Sequence, residues 1–256
     1  MDGRLKSFEG LLGIMDDLRE KCPWDKKQTM ESLRNLTIEE TYELADAIAA
    51  GDLVGVKEEL GDLMLHIVFY AKLASEQGAF DVRDVIEEQC EKLIARHPHV
   101  YGDLKLESAD EVKQNWERLK KHEGKRSLLT GIPDSLPAMV KALRMQDKTA
   151  QVGFQWDTTS EVIDKVNEEV AELQEAATSA DHERMEQEFG DLLFALINYA
   201  RYINVDPELA LARCNQKFKQ RFQYIEEKAG EQGRALEEMT LSEMDALWDE
   251  AKSLLT

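Results

Sequence analysis

The chain is predicted to be all-α and built as a tandem repeat, and three observations carry that prediction. Apolar residues recur at spacings of three and four through nearly the whole sequence, as in Leu60, Leu63, Met64, Ile67, Val68 and Ala71, which is the period of an amphipathic helix. Alternating apolar and polar runs of the kind that make strands are not found. Four acids, Glu40, Glu43, Glu59 and Asp62, return as Glu169, Glu172, Glu188 and Asp191, each pair separated by 129 positions.

Taken in order, the periodicity predicts helices near 7–21, 30–50, 52–77, 82–96 and 108–122 in the first copy. The second copy is predicted to hold helices near 135–151, 160–178, 181–203, 206–229 and 240–254. Asp206 before Pro207 sets a cap ahead of a proline at the first helical position, and Ser160 or Asp181 is suited to cap the helix that follows it. The repeat extends beyond the acids: "CPWD" at 22–25 answers "FQWD" at 154–157, "KLIAR" at 92–96 answers "KFKQR" at 217–221, and "WERLK" at 116–120 answers "WDEAK" at 248–252. Between the copies, "HEGKRSLLTGIPDSLPA" interrupts the helical period with glycines and prolines and reads as a linker. The expected division is therefore 1–122, a linker over 123–137, and 138–256.

Composition limits the partners. The 52 acids against 32 Lys and Arg give a formal net charge of −20, which opposes binding to polymeric nucleic acid, because that grip needs cations against phosphates. A small phosphorylated ligand is compatible with such acidity only through divalent cations. Cys22, Cys90 and Cys214 form no CxxC pair and are odd in number, so a reducing cytoplasm is expected rather than a disulfide framework. The first residues lack the apolar run of a signal peptide, and no apolar stretch approaches the roughly 20 residues of a spanning helix, so no membrane association is expected.

Residues three apart on a helix share a face, so Glu169 and Glu172 point together, as do Glu188 and Asp191. In an antiparallel hairpin the four converge. Solvated surface acids are the ordinary reading of any single pair in so acidic a chain. Here Glu188 and Asp191 run directly into "LLFALINYA", apolar on nearly every side, which places their helix centrally and turns the acids toward other helices. Converging acids repel unless protonated or cation-bound, and an all-oxygen donor set suits Mg²⁺, or Mn²⁺, rather than zinc. A di-iron bundle would want a Glu-x-x-His; His66 has no Glu three residues before it and its counterpart is Ala195, so it reads as an ordinary packed histidine.

The order Glu-x-x-Glu, Glu-x-x-Asp, Lys-x-x-x-Arg, together with "CPWD", "RHPHVYGD", "GIPDSLPA", "VGFQWD" and "MDALWDEAK", resembles the MazG nucleoside triphosphate pyrophosphohydrolases over essentially the whole chain. The resemblance implies Mg²⁺-dependent hydrolysis of NTPs or dNTPs to monophosphate and pyrophosphate, on a helical bundle that dimerises. Glu169, Glu172, Glu188 and Asp191 are then expected to hold the metal, and Lys165, Lys217 and Arg221 to contact phosphate. Asn198 and Asn215 would orient water or nucleotide, and one of the acids, or Glu168, would take the proton from the attacking water. Trp248 has two readings, stacking on a base or closing the bundle. If stacking dominates, base specificity is broad. Trp156 is assigned to packing, and His97 and His99 to a structured loop.

The surroundings of the acids distinguish the copies. Lys165 falls opposite Leu36 and Asn198 opposite Phe69, while alignment on the Lys/Arg pair, offset by 125, sets Asn215 opposite Cys90. The second copy is thus expected to be the catalyst. The first keeps a possible metal site in Glu40, Glu43, Glu59 and Asp62, with Lys92 and Arg96 as phosphate candidates. A regulatory nucleotide-binding or protein-binding module with little turnover is the alternative in another class.

Overall fold

The computed structural model describes residues 7–106, 108, 111–112, 115, 127–179 and 181–254. The chain divides into two compact units, Met1–Leu119 and Lys120–Thr256, and the described residues contain helices and no strand.

In the first unit, Ser7 accepts from the Gly10 amide and opens α1 (Phe8–Lys21). A reciprocal box between Thr29 and Ser32 opens α2 (Met30–Ala50), satisfying amides that have no partner inside the helix. Gly51 ends α2 at φ +70°, a left-handed conformation that a side chain would strain, and Asp52 immediately caps α3 (Leu53–Glu76). The tight turn lays α2 and α3 along each other as a hairpin. An Asp81–Asp84 box starts α4 (Val82–Arg96), and the "RHPHVYGD" segment adds a single turn, α5 (Pro98–Tyr101). Met15, Leu33, Val68, Phe69 and Leu73 form the buried cluster, with Leu36 and Tyr70 packed against it. The helix expected near 108–122, including "WERLK", lies almost wholly outside the described residues.

The second unit holds α6 (Ala138–Ala150), α7 (Thr159–Ser179), α8 (His182–Tyr202), α9 (Pro207–Glu231) and α10 (Leu241–Leu254). Of the expected linker, residues 127–137 are turns and bends. α6 begins three residues later than its periodicity predicts, because Pro137 disfavours helical backbone at Leu136. α7 is capped by Thr158, whose hydroxyl accepts from the Glu161 amide while Glu161 accepts from the Thr158 amide. Ser160 already lies within the helix, so the expected cap was two residues late. Asp181 does cap α8, and Asp206 with Pro207 opens α9. α7 and α8 form the acid-bearing hairpin, α6 packs on α8, and α10 lies against α9, where the Tyr224 hydroxyl donates to Glu250 at 2.7 Å.

The expected central placement of α8 holds on the side that packs against α6, α7 and α9. α8 is not enclosed within its unit: Phe189, Leu193 and Leu196 are about half exposed, at 53%, 42% and 43%. Hydrophobicity on every side of a helix cannot tell which side the same chain covers. The first copy exposes the same stripe, since Leu60, Met64 and Ile67 on α3 are exposed and each precedes its counterpart by 129 positions.

Candidate metal centre

In the second unit the hairpin brings together carboxylate oxygens of Glu169 and Glu172, on α7, and Glu188, on α8, all within 4.8 Å of one another. Glu169 is the deepest, at 6% exposure, and the other two are half-buried. Asp191 is exposed and does not join this group. Asp191 is offset from Glu188 by about 60° around the helix, as Glu172 is from Glu169, but its side chain is one methylene shorter.

Lys165, one turn before Glu169, sets its ammonium 2.7 Å from Glu169 and 2.8 Å from Glu168. Its hydrogen bonds to the two carboxylates raise its pKa, so it stays a cation. Glu172 forms no ion pair within 4 Å among the described residues. Partial burial first, then the charges of Glu169 and Glu188, lift its pKa above the ordinary carboxylate value, with Lys165 pulling the other way. Arg184, which the sequence reading did not single out, reaches Glu188 at 3.6 Å and Glu175 at 3.1 Å. Its place one turn before Glu188 was a readable signal.

The remaining second-copy candidates lie farther along the helices. Asn198 is buried and accepts from Arg201 at 3.1 Å. Lys217 and Arg221 line an open groove with Gln220, Tyr224 and Leu254. The Arg221 guanidinium lies over the Trp248 ring at 5.5 Å, and its buried Nε has no hydrogen-bond partner among the described residues. Trp248, half-buried, also meets Phe218 at a centroid distance of 5.2 Å. Asn215 is exposed on α9. Trp156, assigned to packing, is 42% exposed, and its carbonyl rather than its indole is the anchored part, accepting from the Tyr202 hydroxyl.

The first unit repeats the trio. Carboxylate oxygens of Glu40, Glu43 and Glu59 lie within 4.8 Å of one another, again without the aspartate, here Asp62. Glu40 and Glu59 both have raised pKa values, from burial first and neighbouring carboxylates second. Leu36, at the position of Lys165, packs against the apolar cluster, and Phe69, at the position of Asn198, is part of it. The core has taken over the positions that are polar in the second copy. Lys92 makes a loose ion pair with Glu88 at 3.8 Å. Arg96 ends α4 next to His97, whose Nδ1 contacts the Leu93 carbonyl. His66 is buried with Nδ1 2.8 Å from the Thr37 hydroxyl, which also meets the Tyr70 hydroxyl at 2.7 Å. Burial lowers its pKa, so it is a packed, neutral histidine.

Comparison with known proteins agrees with this architecture. The family model described as "MazG nucleotide pyrophosphohydrolase domain" matches twice, over residues 28–101 and 157–246. The chain is 41% identical over 257 residues to the "Nucleoside triphosphate pyrophosphohydrolase" of Escherichia coli (strain K12), covering 97% of this chain and 98% of that one. It is 45% identical over 250 residues to the "Nucleoside triphosphate pyrophosphohydrolase/pyrophosphatase MazG" of Thermotoga maritima, covering 96% and 95%. The solved structure described as "Crystal structure of mazG-related protein from Thermotoga maritima" is 32% identical over 44% of this chain and 98% of its own, with a TM-score of 0.40. Two helical units, two acidic hairpins and two matches to one family model lead to one assignment: the chain belongs to the MazG nucleotide pyrophosphohydrolase family.

Proposed function

We propose that the chain hydrolyses nucleoside triphosphates, NTPs or dNTPs with broad base specificity, to the monophosphate and pyrophosphate, with the second copy as the catalyst. The observation that carries this reading is the Glu169–Glu172–Glu188 trio with a lysine beside it. Three carboxylates so close repel one another, and a cation among them relieves that repulsion. An all-oxygen donor set fits a hard divalent ion, Mg²⁺ or Mn²⁺. Glu169, Glu172 and Glu188 would hold it, with Asp191 joining by a change of rotamer. Bound there, it would neutralise the polyphosphate and lower the pKa of water.

The chain's own groups supply the rest. A water attacks one phosphorus, the bond to the bridging oxygen between the α- and β-phosphates breaks, and the water's proton passes to Glu168 or to a carboxylate of the trio. Lys165 exchanges a carboxylate partner for phosphate. Lys217 and Arg221 stabilise charge on the leaving pyrophosphate. Asn198 and Asn215 orient water or nucleotide, and Trp248, fixed by Phe218 and Arg221, offers a face to a base.

The first copy would bind metal through Glu40, Glu43 and Glu59 and contribute little turnover, because its core has absorbed the positions of Lys165 and Asn198. The expected domain limits, with the linker at 123–137, are retained in this reading. A homodimer is inferred as the working form. The matched stripes Leu60, Met64, Ile67 and Phe189, Leu193, Leu196 lie on the acid-bearing helices and are exposed, so a second copy would cover apolar surface beside each trio. The described cysteines are unpaired, in keeping with a cytoplasmic setting, and no described helix is long and apolar enough to cross a membrane. A role in clearing or regulating nucleotide pools would follow from the breadth of substrates. The test is product analysis after incubation with mixed NTPs and Mg²⁺. Monophosphate with pyrophosphate supports the proposal; diphosphate with phosphate, or no product, rejects it.

A further inference from the structure

One residue outside the expected set joins three parts of the second unit. The Arg201 Nε donates to Asn198 Oδ1 at 3.1 Å, and its Nη1 donates to Gln155 Oε1 at 3.2 Å. Its guanidinium also lies over the ring of Tyr202 at 4.6 Å, and the Tyr202 hydroxyl donates to the carbonyl of Trp156. The last turn of α8 therefore grips the loop of residues 151–158 at two successive residues. That loop ends in the Thr158–Glu161 box that starts α7, the helix carrying Lys165, Glu169 and Glu172.

This arrangement belongs to the second copy. At the offset of 129, Arg201, Tyr202 and Asn198 correspond to Lys72, Leu73 and Phe69. Lys72 pairs instead with Asp16 at 2.6 Å, and Leu73 and Phe69 are buried in the apolar cluster. A carboxamide has one accepting end and one donating end. With a guanidinium on its oxygen, Asn198 cannot turn over without losing a charge-assisted hydrogen bond, so its NH₂ is left as the end that can meet a ligand oxygen.

We propose that Arg201 is a positioning residue for the reaction: it fixes Asn198 as a hydrogen-bond donor to an oxygen of the nucleotide and holds the 151–158 loop against α8. The inference rests on the reading of Asn198 as a nucleotide contact. The planar fork matters because two acceptors on different segments must be reached at once, which an ammonium does not replace.

The test is steady-state kinetics and thermal melting on the full chain with Asn198→Asp, Arg201→Gln and the double variant, using ATP and Mg²⁺. Asn198→Asp keeps an oxygen for Arg201 and removes the donating NH₂. Each single variant is expected to lower kcat/KM on the order of 10- to 100-fold, as loss of orienting partners typically does. The double variant should lose no more than the worse single one, since Arg201 acts on the nucleotide through the Asn198 NH₂ that Asn198→Asp already removes. A merely structural role would show in the melting temperature of Arg201→Gln and leave kcat/KM of the folded enzyme near that of the wild type. If Asn198→Asp keeps wild-type turnover, the reading of Asn198 fails and the proposal with it. If Asn198→Asp loses activity while Arg201→Gln keeps it, the role of Arg201 alone is overturned; losses that multiply in the double variant overturn it too. Should Arg201→Gln fail to fold, Arg201→Lys, which keeps the charge without the fork, carries the same comparison.

Discussion

Replacing Glu169 by Gln should leave the metal-free protein nearly as stable as before and remove the stabilisation that Mg²⁺ gives the second copy. Glu188 approaches Glu169 within 4.8 Å, a repulsion of about 3.5 kcal/mol at an effective dielectric of about 20. Glu172 adds repulsion of the same sign. Lys165, 2.7 Å away, attracts Glu169 by about 6 kcal/mol on the same footing. The opposing terms nearly cancel, and Lys165 keeps Glu168 as a partner in the variant. A residual of about 1 kcal/mol would move the melting temperature by about 2–4 °C in a chain of this size. Metal behaves differently: at 100 times its dissociation constant a ligand stabilises the native state by about 2.7 kcal/mol, hence by about 5 °C or more. Scanning calorimetry with and without Mg²⁺, in a Glu40→Gln background that disables the first trio, isolates the second site. The reasoning is refuted if Glu169→Gln keeps the Mg²⁺-dependent shift, or if it lowers the metal-free melting temperature by more than about 10 °C.

Three further outcomes follow from the geometry. Glu40 and Glu59 in the first trio and Glu172 in the second titrate above the ordinary carboxylate value of 4.5. Just above pH 4.5 the native state therefore holds more protons than the unfolded chain, these groups favour folding as pH falls into that window, and a metal must displace their protons. Titrations with Mn²⁺ should accordingly show affinity at both trios falling as pH drops toward 4.5, and an affinity indifferent to pH in that window would contradict this. Leu193→Asp puts a charge in the exposed α8 stripe and should shift the sedimentation coefficient from dimer to monomer, whereas a wild-type protein that sediments as a monomer would dismiss the inferred assembly. Trp248→Ala should raise KM about 10-fold or more for all four NTPs alike if the ring stacks on the base, while an unchanged KM with a lower melting temperature would assign it to closing the bundle.

What could be read beforehand divides along physical lines. Helices and hairpins were legible because apolar period and caps are local, and the trios were legible because i,i+3 spacing fixes which acids share a face. At the same spacing Asp191 and Asp62 lie outside the groups of oxygens within 4.8 Å, their side chains being one methylene shorter than those of the glutamates. Lys165 is a neighbour of Glu168 and Glu169 in sequence, so its pairing was recoverable, whereas Arg201 meets Gln155 across 46 positions and no local pattern announces that bond. Exposure of Phe189, Leu193 and Leu196 was illegible for another reason: a run apolar on every side looks the same whether the covering surface belongs to its own chain or to another.

The central claim is that the second acidic hairpin, and not the first, carries the hydrolysis. Pyrophosphate release from ATP with Mg²⁺, measured side by side for Glu172→Ala and Glu43→Ala, tests it most directly, because the two substitutions remove corresponding carboxylates from the two trios. The account predicts that Glu172→Ala abolishes release and Glu43→Ala retains most of it. Equal loss in both variants, or loss confined to Glu43→Ala, would contradict it.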